Sequence, residues 1–172
     1  MPDLAKCILI DGRSGSGKTE LARSLVELWP EYQLLRLDDC YPGWNGLDAG
    51  SAAVPGILRT NRWRSWDWAA NAAGPWRELA ASRPLVVEGV GAISRASRPL
   101  AAAALWVELD AVTRMQRALD RDGATFAPHW DAWAAQEDAF IAREHPQELA
   151  DVIIDGASAV AALVAARVAL GP

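Results

Sequence analysis

Two rhythms of apolar and polar positions alternate along this chain. Cys7-Ile-Leu-Ile10 is an unbroken apolar run ended by Asp11-Gly12, and it predicts a short buried strand. Leu21, Ala22, Leu25, Val26 and Leu28 then fall at helical spacing until Pro30 stops the pattern. The succession repeats: Gln33 to Leu37 as a strand, Trp68 to Ala81 as a helix, and Leu85 to Val87 as a strand. Ala104 to Leu109 follows as a strand, Ala111 to Arg121 and Trp130 to Arg143 as helices, and Val152 to Ile154 as a last strand before a closing alanine-rich helix. Five short strands interleaved with helices predict a five-stranded parallel sheet covered on both faces, an α/β/α three-layer sandwich. The stretch from Asp39 to Asp67 shows no period and is rich in Gly, Pro, Asn and Trp, so it reads as a long functional loop.

Composition narrows the class. At 172 residues, 51% apolar and 23% charged, the chain suits one globular domain spanning residues 1–172. A net charge of −5 argues against nucleic acid, whose binders need surplus Lys and Arg to displace counterions. Cys7 and Cys40 are too few for a disulfide framework and lack the neighbours of a zinc site. No run reaches the ~18 apolar residues of a membrane helix, and Cys7 to Ile10 is too short for a signal-peptide core. The expectation is a cytoplasmic protein with reduced thiols and no membrane partner.

The chemistry begins at Gly12-Arg13-Ser14-Gly15-Ser16-Gly17-Lys18-Thr19, which satisfies G-x-x-x-x-G-K-[ST] between a strand and a helix. Glycines let backbone N–H groups converge on phosphate oxygens, and the helix N-terminus adds its positive end. Lys18 is expected on the β and γ phosphates of ATP and Thr19 on Mg²⁺. The fold class is therefore that of the P-loop NTPases.

A GTPase would carry Asn-Lys-x-Asp, yet Asn45, Asn61 and Asn71 are followed by Gly, Arg and Ala. A transporter ATPase would carry Leu-Ser-Gly-Gly, which is missing. A small-molecule kinase is the class left in favour. Leu37-Asp38-Asp39-Cys40-Tyr41 resembles the Asp-x-Phe-Tyr signature of the uridine kinase, phosphoribulokinase and pantothenate kinase group. Val86-Val87-Glu88-Gly89 is similar to the Glu-Gly that ends the matching strand there, and Arg114, Arg117 and Arg121 match the arginine-rich helix leading to the lid. The likeness runs from about Ile8 to Asp155.

That resemblance implies roles. Asp38 would be the general base, with Asp39 as competitor; Glu88 would join Thr19 at Mg²⁺, unless it is held by a nearby arginine instead. Arg117 and Arg121 would lie on the phosphates, whereas Arg114 suits a phosphate contact and a solvated helix face equally. Residues 39–67 would form the acceptor loop and 121–129 a short lid. Within that loop Tyr41, Arg64, Trp66 and Asp67 are the acceptor-binding candidates, and Trp44, Trp63, Trp66 and Trp68 suit either stacking on a planar ring or a satellite core. His129 reads as a cap or packing residue. The expected partner is a small acceptor such as a nucleoside, with a sugar, sugar acid or vitamin-like alcohol, or a slow ATP-binding switch, as alternatives. A homodimer stays open.

Overall fold

The computed structural model describes residues 7–158. Five strands form a parallel sheet: β1 (Cys7–Asp11), β2 (Gln33–Arg36), β5 (Leu85–Glu88), β6 (Ala103–Glu108) and β7 (Val152–Asp155). Their order is β2-β5-β1-β6-β7, so the strand feeding the glycine loop lies at the centre. All five expected strands are present, each within a residue or two of its predicted bounds.

The apolar runs of β1, β5 and β6 are continuous because these inner strands are buried on both faces, and alternate side chains serve different layers, whereas the edge strands β2 and β7 are only partly covered. Ile8, Ile10, Val86, Leu105 and Val107 pack on Leu21, Ala22 and Leu25 of α1 (Lys18–Leu28). Leu9, Leu35, Val87 and Ala104 pack on the opposite layer. That layer holds α2 (Leu47–Thr60), α3 (Ala111–Phe126) and α4 (Trp130–Glu144). A short α5 (Pro146–Leu149) leads into β7. The predicted closing helix lies outside the described residues.

Two expectations are overturned. Residues 39–67 are not irregular: they contain α2 and the strand β3 (Arg62–Asp67). Leu47, Val54, Ile57 and Leu58 do fall on one buried helical face, but Gly50, Pro55 and Gly56 interrupt the pattern with poor helix formers. Trp68 to Ala81 is not a helix; it turns into β4 (Ala72–Glu78), which pairs antiparallel with β3 as a separate hairpin. Gly74-Pro75 disfavours a helix interior, and Arg62-Trp63-Arg64-Ser65 alternates between exposed and half-buried positions until the register shifts between Arg64 and Trp66.

The proposed lid stretch is helical. α3 passes Arg121 and continues to Phe126 across a break at Gly123, where φ is 48° and ψ −127°, before a 3-10 turn at Ala127–His129. Asp110 caps α3 by accepting the Thr113 N–H at 2.9 Å.

Candidate active site

The loop from Gly12 to Thr19 closes on itself through Ser16 N–H to Arg13 O, and α1 begins at Lys18. Gly15 sits at φ 79°, and a Cβ there would collide with the Arg114 carbonyl, so the loop can seat on α3 only with glycine. Gly17 caps α1 at φ 101°, again in the left-handed region.

Several side chains hold this loop. Glu137, 1% exposed on α4, accepts the Ser14 N–H at 2.8 Å and lies 3.8 Å from Arg13, which also pairs with Asp138. Arg114 is buried and donates to Ser14 O and Leu109 O. Burial lowers its pKa, with Glu137 opposing. A solvated face is thereby ruled out for Arg114. Asp11, fully buried below the loop, accepts N–H bonds from Gly12, Gly91 and Ile93. Burial pushes its pKa up to about 7 against those bonds and the charge of Lys18.

In-register pairing explains the carboxylate cluster at the sheet's carboxyl edge, where ligands of open α/β sheets sit. Glu88 lies opposite Ile10 on one side and Arg36 on the other. It accepts the Thr19 hydroxyl at 3.1 Å and Arg36 Nε at 3.3 Å, so a nearby arginine does hold Glu88, beside Thr19. Burial raises the Glu88 pKa and Lys18 opposes that rise. Arg36 also pairs with Asp38 at 3.1 Å. Although burial works against it, the charges of Asp38 and Glu88 leave the Arg36 pKa raised.

A crevice of about 810 Å³ opens over Gly15, Gly17, Lys18 and Thr19, with Arg36, Arg117 and Arg121 on its walls. Arg117 donates to Gly156 O at 2.9 Å, and Arg121 pairs with Asp122, the bond that chiefly raises its pKa. Next to it a cavity of about 80 Å³ runs towards the aromatic residues, and Lys18, Thr19, Asp38, Arg121 and Asp122 line both. Asp38 therefore stands at the junction. Asp39 lines a different hollow, beside Trp66 and Asp67, and burial raises its pKa.

The acceptor candidates divide. Tyr41 lines the inner cavity by its ring, is 1% exposed, and donates its hydroxyl to Val90 O at 2.6 Å. Arg64 and Trp66 instead line an apolar cavity of about 390 Å³ walled by α2 and the hairpin, and Asp67 caps the turn at Ala70. The structure does not bring those three to the P-loop. Trp44 and Trp68 line the inner cavity in their place, with Phe126 and Trp133. Trp44 stacks on His129 at 4.2 Å and 10°, giving His129 a packing role.

Sequence reasoning did not single out Asp11, Arg36, Glu137 or Phe126. An acid ending an apolar strand, the signal that exposed Glu88, marks Asp11 equally. Burial pushes the Cys7 and Cys40 thiols up to about 12, so neither is a thiolate nucleophile at neutral pH. Among the described residues no helix is long and apolar enough to cross a membrane.

The fold and the loop together define a P-loop α/β sandwich. The solved structures it is similar to include a gluconokinase from Sinorhizobium meliloti 1021, at 19% identity and a TM-score of 0.62, covering 97% of this chain and 92% of that one. A possible uridine kinase from Bacillus stearothermophilus is 21% identical with a TM-score of 0.57, covering 86% of each chain. The fold resemblance read from the motifs is borne out by these structures. No family profile matches the chain, and no curated protein is similar to it in sequence.

Proposed function

We propose that the protein is a small-molecule kinase that moves the γ-phosphate of ATP to an alcohol. The observation that carries this reading is the position of Asp38, on the wall shared by the phosphate crevice and the inner cavity. A hydroxyl held in that cavity has a carboxylate on one side and Lys18 on the other. Asp38 accepts its proton as the oxygen attacks phosphorus, and ADP leaves. Lys18, Arg117 and Arg121 carry the charge on the phosphates.

Thr19 and Glu88 offer two oxygen donors 3.1 Å apart, which fits Mg²⁺, an ion that takes one or two protein oxygens beside phosphate and water. Bound there, it would neutralise charge shared by the β and γ phosphates. The neighbours named as uridine kinase and gluconokinase support a kinase while differing in acceptor.

Acceptor-dependent ADP release tests the reading, with Asp38→Ala and Asp39→Ala compared side by side. The expected outcome is that Asp38→Ala lowers the stimulated rate by about 10²–10⁴-fold with ATP affinity retained, while Asp39→Ala leaves most of it. Equal losses, or turnover indifferent to every acceptor, would favour a nucleotide-binding switch.

A further inference from the structure

The inner cavity has a lining that discriminates among acceptors. Its aromatic members are Tyr41, Trp44, Trp68, Phe126 and Trp133, and its carboxylates are Asp38 and Asp122. Its cations are Lys18, which belongs to the phosphate loop, and Arg121, already paired with Asp122 at 2.6 Å. Among the described residues, no Asn, Gln or His side chain lines it. The polar tips of two of the rings are engaged: Tyr41 donates to Val90 O, and Trp68 Nε1 donates to Asp38 O at 2.8 Å. Arg62 and Arg64, the hairpin cations suited to an anionic acceptor, line the other cavity.

Each acceptor class meets this lining differently. An acid finds two carboxylates and no cation that is free of the phosphates. A sugar or a nucleobase brings several polar groups into a space with few partners for them, and buried groups left unpaired weaken binding. A cation gains from the rings, whose faces attract positive charge within about 6 Å, and adds a second positive charge to Asp38 and Asp122, each already paired with one arginine, Arg36 and Arg121. Trp44 lies 5.0 Å from Trp68 and 6.4 Å from Trp133 between ring centroids, tilted to one and edge-on to the other, while His129 and Phe126 stack nearly parallel to it at 4.2 and 5.6 Å.

We infer that the acceptor is a small amino alcohol whose ammonium sits among Trp44, Trp68 and Trp133 while its hydroxyl faces Asp38. This rests on the kinase reading and names the substrate class for the same site. The cavity, about 80 Å³, suits a compact head group rather than a nucleoside. In the transfer, the hydroxyl oxygen forms the new bond to the γ-phosphorus and its proton passes to Asp38. The bond from that phosphorus to the β–γ bridging oxygen breaks, and ADP keeps the electron pair. The ammonium is a binding handle and stays unchanged.

Calorimetry and ADP release on the full chain, with ATP and Mg²⁺, test this with matched alcohols. Choline is compared with its uncharged carbon isostere neohexanol, ethanolamine with propanol, and glycolate serves as the anion. At least one cation should bind roughly tenfold or more tightly than its isostere and stimulate ADP release. Trp44→Leu should abolish that preference and Trp44→Phe retain it. Asp122→Asn should reduce it severalfold, a readout that survives if the Trp44 variants fold poorly. Equal binding within every pair, or tighter binding of glycolate, overturns the inference. So does ADP release driven only by a neutral or anionic alcohol, an outcome that leaves the kinase reading standing. A cation bound with the stated preference but without turnover upholds the recognition and overturns the kinase reading.

Discussion

The phosphate end and the acceptor end of this crevice are built by opposite means. The phosphate end is built on one contiguous segment, Gly12 to Thr19, whose backbone amides and glycine torsions shape it, with Arg117 and Arg121 added at its walls. The acceptor end is assembled from side chains that start at Tyr41 and finish at Trp133, drawn from separate elements. A site made of backbone is the same whatever surrounds it, whereas a site made of side chains can change its ligand one residue at a time. On the proposed kinase reading, the donor would be held by structure common to many proteins, and the choice of acceptor would be free to diverge.

The sharpest attempt to break that separation is Arg117→Ala, since Arg117 lines the phosphate crevice and not the inner cavity. Stimulated ADP release should fall by on the order of 10³-fold, while calorimetric binding of the acceptor changes by no more than about twofold. Loss of acceptor binding as well would mean that the two ends are one unit.

A pH scan of stability comes next, since Asp11 is the buried acid beneath the phosphate end. Its folded pKa, about 7, lies above the ordinary 3.8, so the native state holds the proton more tightly than the unfolded chain. Its contribution is full below about pH 4, is lost as pH rises to about 7, and is flat beyond, a change of up to about 4 kcal/mol. Urea midpoints for Asp11→Asn should lack this slope.

Glu137→Ala should cost about 3 kcal/mol in urea unfolding, because Ser14 N–H and Arg13 lose a buried anionic partner. Its kinetic signature should be a raised KM for ATP. The smallest effect belongs to the acceptor end: Trp68→Phe removes one donation to Asp38 O, worth about 1 kcal/mol, and should raise the acceptor KM severalfold with that for ATP unchanged.

The same contrast explains what could be read from sequence. Buried inner strands leave unbroken apolar runs, and the edge strands β2 and β7 keep two or three consecutive apolar residues, so all five were legible, as was a loop whose residues are consecutive. α2 was hidden because Gly50, Pro55 and Gly56 sit within its apolar stripe. The hairpin was hidden because β3 is only half covered and β4 almost wholly exposed, which weakens the two-residue rhythm. Arg64, Trp66 and Asp67 looked like acceptor residues by composition, yet pairing in the hairpin turns Arg64 and Trp66 towards α2. Glu137 could not be seen, since its partner Ser14 lies 123 positions away and helix periodicity does not report on such a contact.

Helix α4, like α3, touches both ends. On α4, Trp133 lines the acceptor cavity, Gln136 donates to Trp44 O at 2.8 Å, and the next residue, Glu137, grips the glycine loop. In-line transfer requires reacting atoms about 3–3.5 Å apart. Because this rod carries anchors of both ends, on the kinase reading a displacement of it would be common-mode: both substrates would shift together, and the gap between them would be preserved.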